Sequence, residues 1–146
     1  MVLNTKHFGE LQIEEAKLIQ FKDGIPGFPK LNRFILLSEP DGEEGGFFYW
    51  LQSAEDPEKA FVLVDMIKYN PDYNPQVEQA YVEDLGSVDP DDFLVYNIAV
   101  MPEDPKKMTV NLRAPIVINP NSMLGKQVVC VNEDYEVKHY LFAEAQ

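Results

Sequence analysis

Residues that commonly catalyse reactions or bind metals are few in this chain and follow no recognisable spacing. The two histidines, His7 and His139, lie near opposite ends, and the only cysteine is Cys130. A zinc site built on both histidines would need further ligands, which no His or Cys spacing supplies. Ser53 and Ser122 lie in no G-x-S-x-G motif, so a Ser-His-Asp triad would have to recruit one of the same histidines. We expect no enzyme, no metal and no cofactor, with a hydrolase as the weakest alternative.

Carboxylates are abundant: 25 acidic residues face 12 basic ones, which gives a net charge of −13. Because acids are so numerous, no pair stands out as the general acid and base of a glycosidase. Direct nucleic-acid binding is disfavoured, since phosphate contacts need patches of Lys and Arg. The excess favours either simple solubility or attraction to a basic partner, and the charge alone leaves both open.

The densest acidic group lies in residues 78–92. We expect a basic partner to bind here, the alternative being an ordinary solvated turn. The candidate contact residues are Glu78, Glu83, Asp84, Asp89, Asp91 and Asp92.

A helix is predicted from Pro75 to Leu85, and it overlaps the first part of this acidic group. Asn74 suits the N-cap, Pro75 the first helical position and Gly86 the end. The helical period would place three apolar residues on one face: Val77, Tyr81 and Leu85.

The segment 21–28, FKDGIPGF, is glycine-rich but lacks the Lys-Ser/Thr ending and the strand-to-helix context of a phosphate loop. Gly24 suits a position with positive φ, and Pro26 and Gly27 suit the centre of a type II turn. We interpret these three residues as fold determinants of a double turn. Three apolar residues of the segment would then fold back onto a core: Phe21, Ile25 and Phe28.

Most of the chain is predicted to form short strands. Their residues are β-branched or aromatic, and Gly, Pro, Asn or Asp bound them about every 8 to 12 residues. This pattern predicts a mainly β fold, a small antiparallel barrel-like single domain over 1–146 with one or two short helices. The strands are predicted at 10–13, 17–21, 33–37, 47–52, 60–66, 93–101, 109–112, 116–119 and 126–132.

Two stretches carry more detailed expectations. In the predicted hairpin 47–65, Phe48 and Trp50 should face one way and Tyr49 and Leu51 the other. Gln52, at the strand end, has a structural role if its amide hydrogen-bonds the turn backbone. In 110–120, VNLRAPIVINP, Pro115 interrupts the ladder, which predicts an edge or a bulge.

The remaining signals favour a cytoplasmic protein. The first residues show no signal-peptide pattern, and no apolar run is long enough to cross a membrane. Cys130, in the apolar run QVVCV, is expected to be a buried thiol, because a single cysteine cannot form an internal disulfide.

Four motifs in register resemble the flagellar assembly factor FliW family. They are a T-x-x-F-G-like start at 5–12, F-x-x-G-I-P-G-F at 21–28, an L-Q-S…A-F hairpin from Leu51 to Phe61, and N-L-x-A-P-I-V-I-N at 111–119 followed by G-x-Q-V at 125–128. The resemblance covers about residues 1 to 140. One departure is the long, acidic turn PDGEEGG at 40–46.

The resemblance implies a bacterial β-barrel-like protein without catalysis that binds newly made flagellin as a chaperone. It also implies binding to the carbon storage regulator CsrA, a small basic RNA-binding dimer, whose repression of flagellin translation is thereby lifted. Flagellin is expected to meet an apolar edge at Pro115, Ile116, Val117 and Ile118, although these aliphatic residues are more readily explained as part of the core. The alternative function is a carbohydrate- or peptide-binding β module, suggested by the aromatic run FFYW at 47–50.

Overall fold

The computed structural model describes residues 1–38 and 46–142, so most of the acidic turn at 40–46 lies outside the described residues. Eleven strands and one short α-helix are present in the described part. In chain order they are β1 (Val2–Thr5), β2 (Gly9–Gln12), β3 (Ile19–Gln20), β4 (Arg33–Ser38), β5 (Phe48–Ser53), β6 (Ala60–Val64), α1 (Met66–Tyr69), β7 (Leu94–Val100), β8 (Thr109–Val110), β9 (Ile116–Asn119), β10 (Leu124–Gln127) and β11 (His139–Tyr140).

Seven strands close into a barrel in the order β7-β6-β5-β4-β3-β10-β9, with β9 pairing back onto β7. All of these pairings are antiparallel except β3 with β10, which is parallel. The pair β8 and β11 extends the sheet from β7, while β1 and β2 form a separate hairpin. The predicted mainly β, barrel-like fold is therefore confirmed.

Alternating residues of the barrel strands fill its interior. Leu51, for example, is fully buried and lies opposite Leu36 on β4 and Phe61 on β6. The interior cluster is apolar and aromatic: Ile19, Phe21, Ile25, Phe34, Leu51, Leu63, Tyr96, Ile116 and Ile118. The predicted alternation along β5 is confirmed, because Tyr49 joins this interior whereas Trp50 packs outside against Phe8.

Three smaller clusters cover the outside of the barrel. The β1–β2 hairpin packs on Ile35, the helix α1 and the last strands pack on Val64 and Ala99, and residues 77–93 pack on Val117 and Val128. Both faces of several strands are thus buried, which explains their nearly continuous apolar sequences.

The helix predicted over 75–85 does not form. Gln76 lies instead in extended chain, where its N–H donates to Asn132 Oδ1 at 2.7 Å and its carbonyl accepts from Val131 N–H at 2.8 Å. These tertiary hydrogen bonds override the local helix signals.

Two 3-10 turns, Gln79–Tyr81 and Glu83–Leu85, follow this extended chain. They bury Val82 and Leu85 against the barrel and leave Tyr81 48% exposed, so the predicted apolar face was also wrong. Gly86 ends the second turn with φ of +95°, as its predicted role as a stop requires.

The helix that does form, α1, was not predicted; its N-cap Asp65 accepts from the Lys68 N–H at 3.1 Å. β1 and β11 were also missed.

Pro115 marks a bulge, one of the two outcomes predicted for it. Val110 pairs with Ala99 and Ile116 pairs with Tyr96, so five residues from 111 to 115 lie opposite only two residues of β7. Asn111 Oδ1 holds this bulge by accepting from the N–H groups of Arg113 at 3.1 Å and Ala114 at 2.9 Å.

Candidate functional site

The double turn at 21–28 has the predicted geometry. Gly24 N–H donates to Phe21 O at 2.9 Å, and Phe28 N–H donates to Ile25 O at 2.7 Å across the central pair Pro26-Gly27. Gly24 and Gly27 have φ of +68° and +91°. Both glycines therefore occupy left-handed positions that other residues adopt at a cost.

One part of the prediction for this segment was wrong. Phe21 and Ile25 are buried, but Phe28 is 36% exposed and packs edge-on against Phe61. The ammonium of Lys59 lies 4.2 Å from the Phe28 ring centroid. The short loop between the turns leaves Phe28 at the mouth of the barrel, where a cation covers it.

Gln52 hydrogen-bonds the turn backbone, as expected. Its side chain is fully buried, and the two hydrogens of Nε2 point to the carbonyls of Ser53 at 2.9 Å and Lys59 at 3.2 Å, with the Pro57 carbonyl also 3.3 Å away. The amide thus ties both sides of the β5–β6 turn together.

The six acidic candidates lie along one surface segment, and all but half-buried Asp92 are exposed. Three carboxylates are occupied by neighbours: Asp84 pairs with Lys126 at 3.2 Å, Asp89 caps a turn by accepting from Asp91 N–H at 3.0 Å, and Asp92 accepts from the Ser87 hydroxyl. Within residues 1–38 and 46–142, no hydrogen bond or ion pair uses the side chains of the remaining three: Glu78, Glu83 and Asp91.

This acidic segment is fixed to the barrel. The carbonyl of Leu85 accepts from Asn119 Nδ2 at 2.8 Å and from the Ser122 hydroxyl at 2.7 Å. Lys126 Nζ also donates to Tyr81 O at 2.9 Å. The exposed carboxylates are therefore presented by a backbone that side chains of the barrel hold in place.

An apolar pocket of about 280 Å³ lies between this segment and the barrel wall. Pro115 and Val117 line its floor, and the exposed Val88 and Pro90 lie at its mouth. The other apolar lining residues are Pro75, Val77, Val82, Phe93 and Val95. The structure thus brings part of the apolar candidate set beside the acidic set.

The expectation that residues 115–118 form an exposed apolar edge is wrong. β9 pairs with β10 on one side and β7 on the other, so it is no edge. Ile116 and Ile118 point into the filled interior at 0% and 1% exposure, and Val117 is 3% exposed. Barrel closure, which local sequence does not report, buries these side chains.

Several important residues were missed. A Cβ on Gly125 would lie 2.7 Å from the Phe21 ring, so β10 and the double turn fit together only with glycine there. Asn97, a lone polar residue in the apolar run FLVYNIAV, donates from Nδ2 to Tyr73 OH at 2.9 Å and to Asn111 O at 2.8 Å. A single polar residue in an otherwise apolar strand was the sequence signal that could have identified Asn97 as a buried hydrogen-bonding residue.

Two tyrosines have shifted pKa values. Burial raises the pKa of Tyr96 to about 12, with smaller contributions from Tyr49 and Asp65. Burial also raises the pKa of Tyr73, whose hydroxyl donates to Leu112 O at 2.7 Å. Both groups are structural, because each lies in a packed cluster.

The residues considered for catalysis do not come together. Ser53 Oγ accepts from the N–H groups of Glu55 and Asp56, and Ser122 Oγ donates to a carbonyl. Across the described ranges no three His, Cys, Asp or Glu residues converge on a metal position. Nor does the described part of the chain contain a helix of the length and apolarity that a membrane span needs.

The aromatic run at 47–50 is only partly buried: Phe47 is 36% exposed and packs edge-on against Tyr69. Tyr49 lies inside the barrel, 4.9 Å from the Tyr96 ring centroid, and Trp50 is covered by Phe8 at 5.8 Å. Packing thus engages Tyr49 and Trp50, and the carbohydrate- or peptide-binding module stays a prediction.

Comparisons with known proteins agree with the sequence motifs. The family model described as FliW protein matches residues 2–141. The flagellar assembly factor FliW of Alkaliphilus metalliredigens is 44% identical over 146 residues, covering 100% of this chain and 89% of that protein. The protein with the same description from Caldanaerobacter subterraneus is 39% identical over 144 residues, covering 99% and 95%.

A solved structure leads to the same conclusion. The crystal structure of the flagellar assembly factor FliW superimposes with a TM-score of 0.87 at 35% identity, covering 97% of each chain. With the family model spanning nearly the whole sequence and the barrel shared, this chain belongs to the FliW family.

Proposed function

We propose that this protein is a cytoplasmic binding protein that holds newly made flagellin and, when free of it, binds the basic regulator CsrA and relieves its repression of flagellin translation. Membership of the FliW family supports the assignment to flagellar assembly. The observation that carries the CsrA part is the acidic surface at 78–92, which side chains of the barrel anchor. It presents carboxylates without partners among the described residues, beside an apolar pocket.

The surface suits a basic partner for two reasons. The partner-free carboxylates of Glu78, Glu83 and Asp91 would steer a cationic protein towards the segment. The neighbouring pocket would then accept an apolar side chain, whose desolvation supplies the affinity that exposed ion pairs alone rarely give. The protein acts by binding, so we propose no catalytic step.

Charge reversal at the surface tests the proposal. We expect Glu83→Lys with Asp91→Lys to weaken CsrA binding by roughly 10-fold, mostly in the association rate, and to flatten the dependence on salt. Isothermal titration and stopped-flow fluorescence at two ionic strengths give both quantities. Asp84 is left unchanged because its reversal would repel Lys126 and disturb the anchoring.

The matched control is Glu10→Lys with Glu14→Lys, which makes the same change in net charge at exposed positions in and just after β2, outside the acidic segment. If the control weakens CsrA binding as much as the test variant, only overall charge matters and the surface at 78–92 is not the contact. Unchanged binding by the test variant would exclude the surface as well.

A competition experiment tests the flagellin part. Purified flagellin is titrated into the preformed complex of this protein with CsrA, and the complex is followed by size-exclusion chromatography. We expect release of CsrA at stoichiometric flagellin. A stable ternary complex would contradict mutual exclusion, and absence of any flagellin binding would contradict the chaperone role.

A further inference from the structure

The barrel has an incomplete seam between β3 and β10. The two strands meet at a single residue pair, Leu124 with Gln20, supported by a hydrogen bond from Gln20 N–H to Met123 O at 2.9 Å. Beyond Gln20 the chain turns away into the double turn. From Gly125 onwards β10 therefore has no described strand beside it on this side.

The backbone of β10 presents free groups along this side. Val128 N–H donates to Pro115 O at 3.0 Å and Cys130 N–H to Arg113 O at 2.9 Å, so the even-numbered residues face β9 and its extension. In an antiparallel ladder the intervening residues face the opposite way, which directs the N–H and C=O of Gln127 and Val129 to the seam.

The gap in pairing has defined ends. The next hydrogen bond on the same side joins Val131 N–H to Gln76 O at 2.8 Å, and none within residues 1–38 and 46–142 uses the Val129 amide. From Gly125 to Val131 an extended chain spans roughly 20 Å, which is room for about five residues of an added strand.

Two cavities flank the open edge. One, of about 360 Å³, lies between β10 and the double turn, and another, of about 320 Å³, lies at the barrel mouth. Both are lined by Ile25, Pro26 and Gln127, so they meet at the edge itself. The second is mainly apolar, with Phe61, Ile98, Val100 and Val137 in its wall.

Exposed valines cluster around the same edge. Val100, Val129 and Val137 are 62%, 57% and 60% exposed. Single exposed apolar residues are ordinary, but several beside unpaired backbone groups mark an interaction surface.

We propose that the seam is a strand-addition site, at which an extended segment of another polypeptide pairs with the backbone of Gln127 and Val129. An apolar side chain of that segment would enter the cavity at Val100 and Val137. Main-chain hydrogen bonds would supply affinity and the cavity would supply selectivity, as in other cases of β-augmentation. The edge adjoins the acidic segment, whose Asp84 lines the first cavity, but none of the six acidic residues lies on β10, so the inference goes beyond the proposed function.

The charges of the lining define the segment further. Lys126 and Asp84 in the lining pair with each other, which leaves Lys22 and Lys138 against Asp23, although acids outnumber basic residues two to one in the whole chain. A segment with flanking acidic residues is therefore favoured over a basic one.

Amide hydrogen exchange tests the free edge in the protein alone. We expect the amides of Gln127 and Val129 to exchange rapidly, and those of Val128 and Cys130, bonded across the ladder, to exchange at least 10-fold more slowly. Slow exchange at Val129 would show that its amide is already paired and would overturn the proposal.

The binding test uses the synthetic heptapeptide ETITITE, capped at both ends, and two-dimensional amide NMR. We expect saturable shifts at Gln127 and Val129 with new protection from exchange. The same peptide with N-methylated central amides keeps its side chains and should bind at least 10-fold more weakly, as should KTITITK. Equal binding of the methylated peptide would overturn the proposal.

Two variants locate the site. Val129→Pro removes an amide that makes no described hydrogen bond, and proline is tolerated on strand edges, so the fold should persist while peptide binding falls at least 10-fold. Should Val129→Pro fail to fold, Val137→Asp, at an exposed position, tests the cavity alone. Shifts confined to the acidic surface, unchanged binding by the variant that folds, or a dimer paired through β10 in ultracentrifugation and NMR would each contradict the proposal.

Discussion

At the scale of single residues, the two glycines of the double turn differ in what surrounds them. Both have positive φ, but a Cβ on Gly24 would lie 2.6 Å from the carbonyl oxygen of Phe28, whereas a Cβ on Gly27 would meet nothing within 4 Å. Gly24 is thus constrained by both conformation and space, and Gly27 by conformation alone. The sequence motif presents them as equivalent.

We therefore predict unequal effects of alanine. Gly27→Ala should lower the free energy of unfolding by about 1 kcal/mol, the usual cost of a left-handed position. Gly24→Ala should cost at least about 2 kcal/mol, because the backbone atoms of Phe28 and Pro29 must also move. Urea denaturation of both variants measures the two losses in the free energy of unfolding. Equal losses would show that the close approach of Phe28 and Pro29 to Gly24 adds nothing to the cost of a side chain there.

At the scale of elements, packing closes the seam at Gly125, where the ladder between β3 and β10 ends, and leaves it open from Gln127 to Val129. β3 is only two residues long, and the ring of Phe21 lies directly over Gly125 of β10. The double turn and β10 are therefore held together by one aromatic-on-glycine contact more than by a ladder. Any side chain at position 125 would press on that ring.

We predict energetic coupling across this contact. Gly125→Ala should cost about 1 to 3 kcal/mol through overpacking. Combined with Phe21→Leu, the total loss should be smaller than the sum of the single losses by about 1 kcal/mol, because the smaller side chain vacates the space. Gly9→Ala is the control, because a Cβ there would face open space; its cost comes from the positive φ of Gly9 alone and should add to that of Phe21→Leu without coupling.

At the scale of the whole molecule, closure of the barrel buries polar residues that are exposed to solvent in the unfolded chain. Tyr96 is 6% exposed in the interior, and its ring lies 4.9 Å from the Tyr49 ring centroid. Burial disfavours the tyrosinate and raises the pKa to about 12, above the usual value of 10.0. Folding therefore holds this proton more tightly than the unfolded chain does.

Stability should consequently fall in strong alkali. The contribution of Tyr96 is fully present below pH 10, where both states are protonated, and is lost as pH rises from about 10 to about 12, because only the unfolded state ionises. We predict that urea unfolding shows a smaller loss between pH 9 and pH 11.5 for Tyr96→Phe than for the unmodified protein. An identical loss would show that Tyr96 titrates normally in the folded state.

The sequence by itself determined the class of fold, most strand positions, the left-handed glycines, the tie made by Gln52 and the family, because these depend on residue type and short-range spacing. Tertiary structure decided the rest. Closure of β9 onto β7 buried the apolar candidates 115–118, pairing of Gln76 with Val131 replaced a helix by extended chain, and the shortness of β3 left an edge of β10 open. Each of these outcomes depends on which strand lies beside which, and pairing between residues far apart in the chain leaves no mark on local spacing.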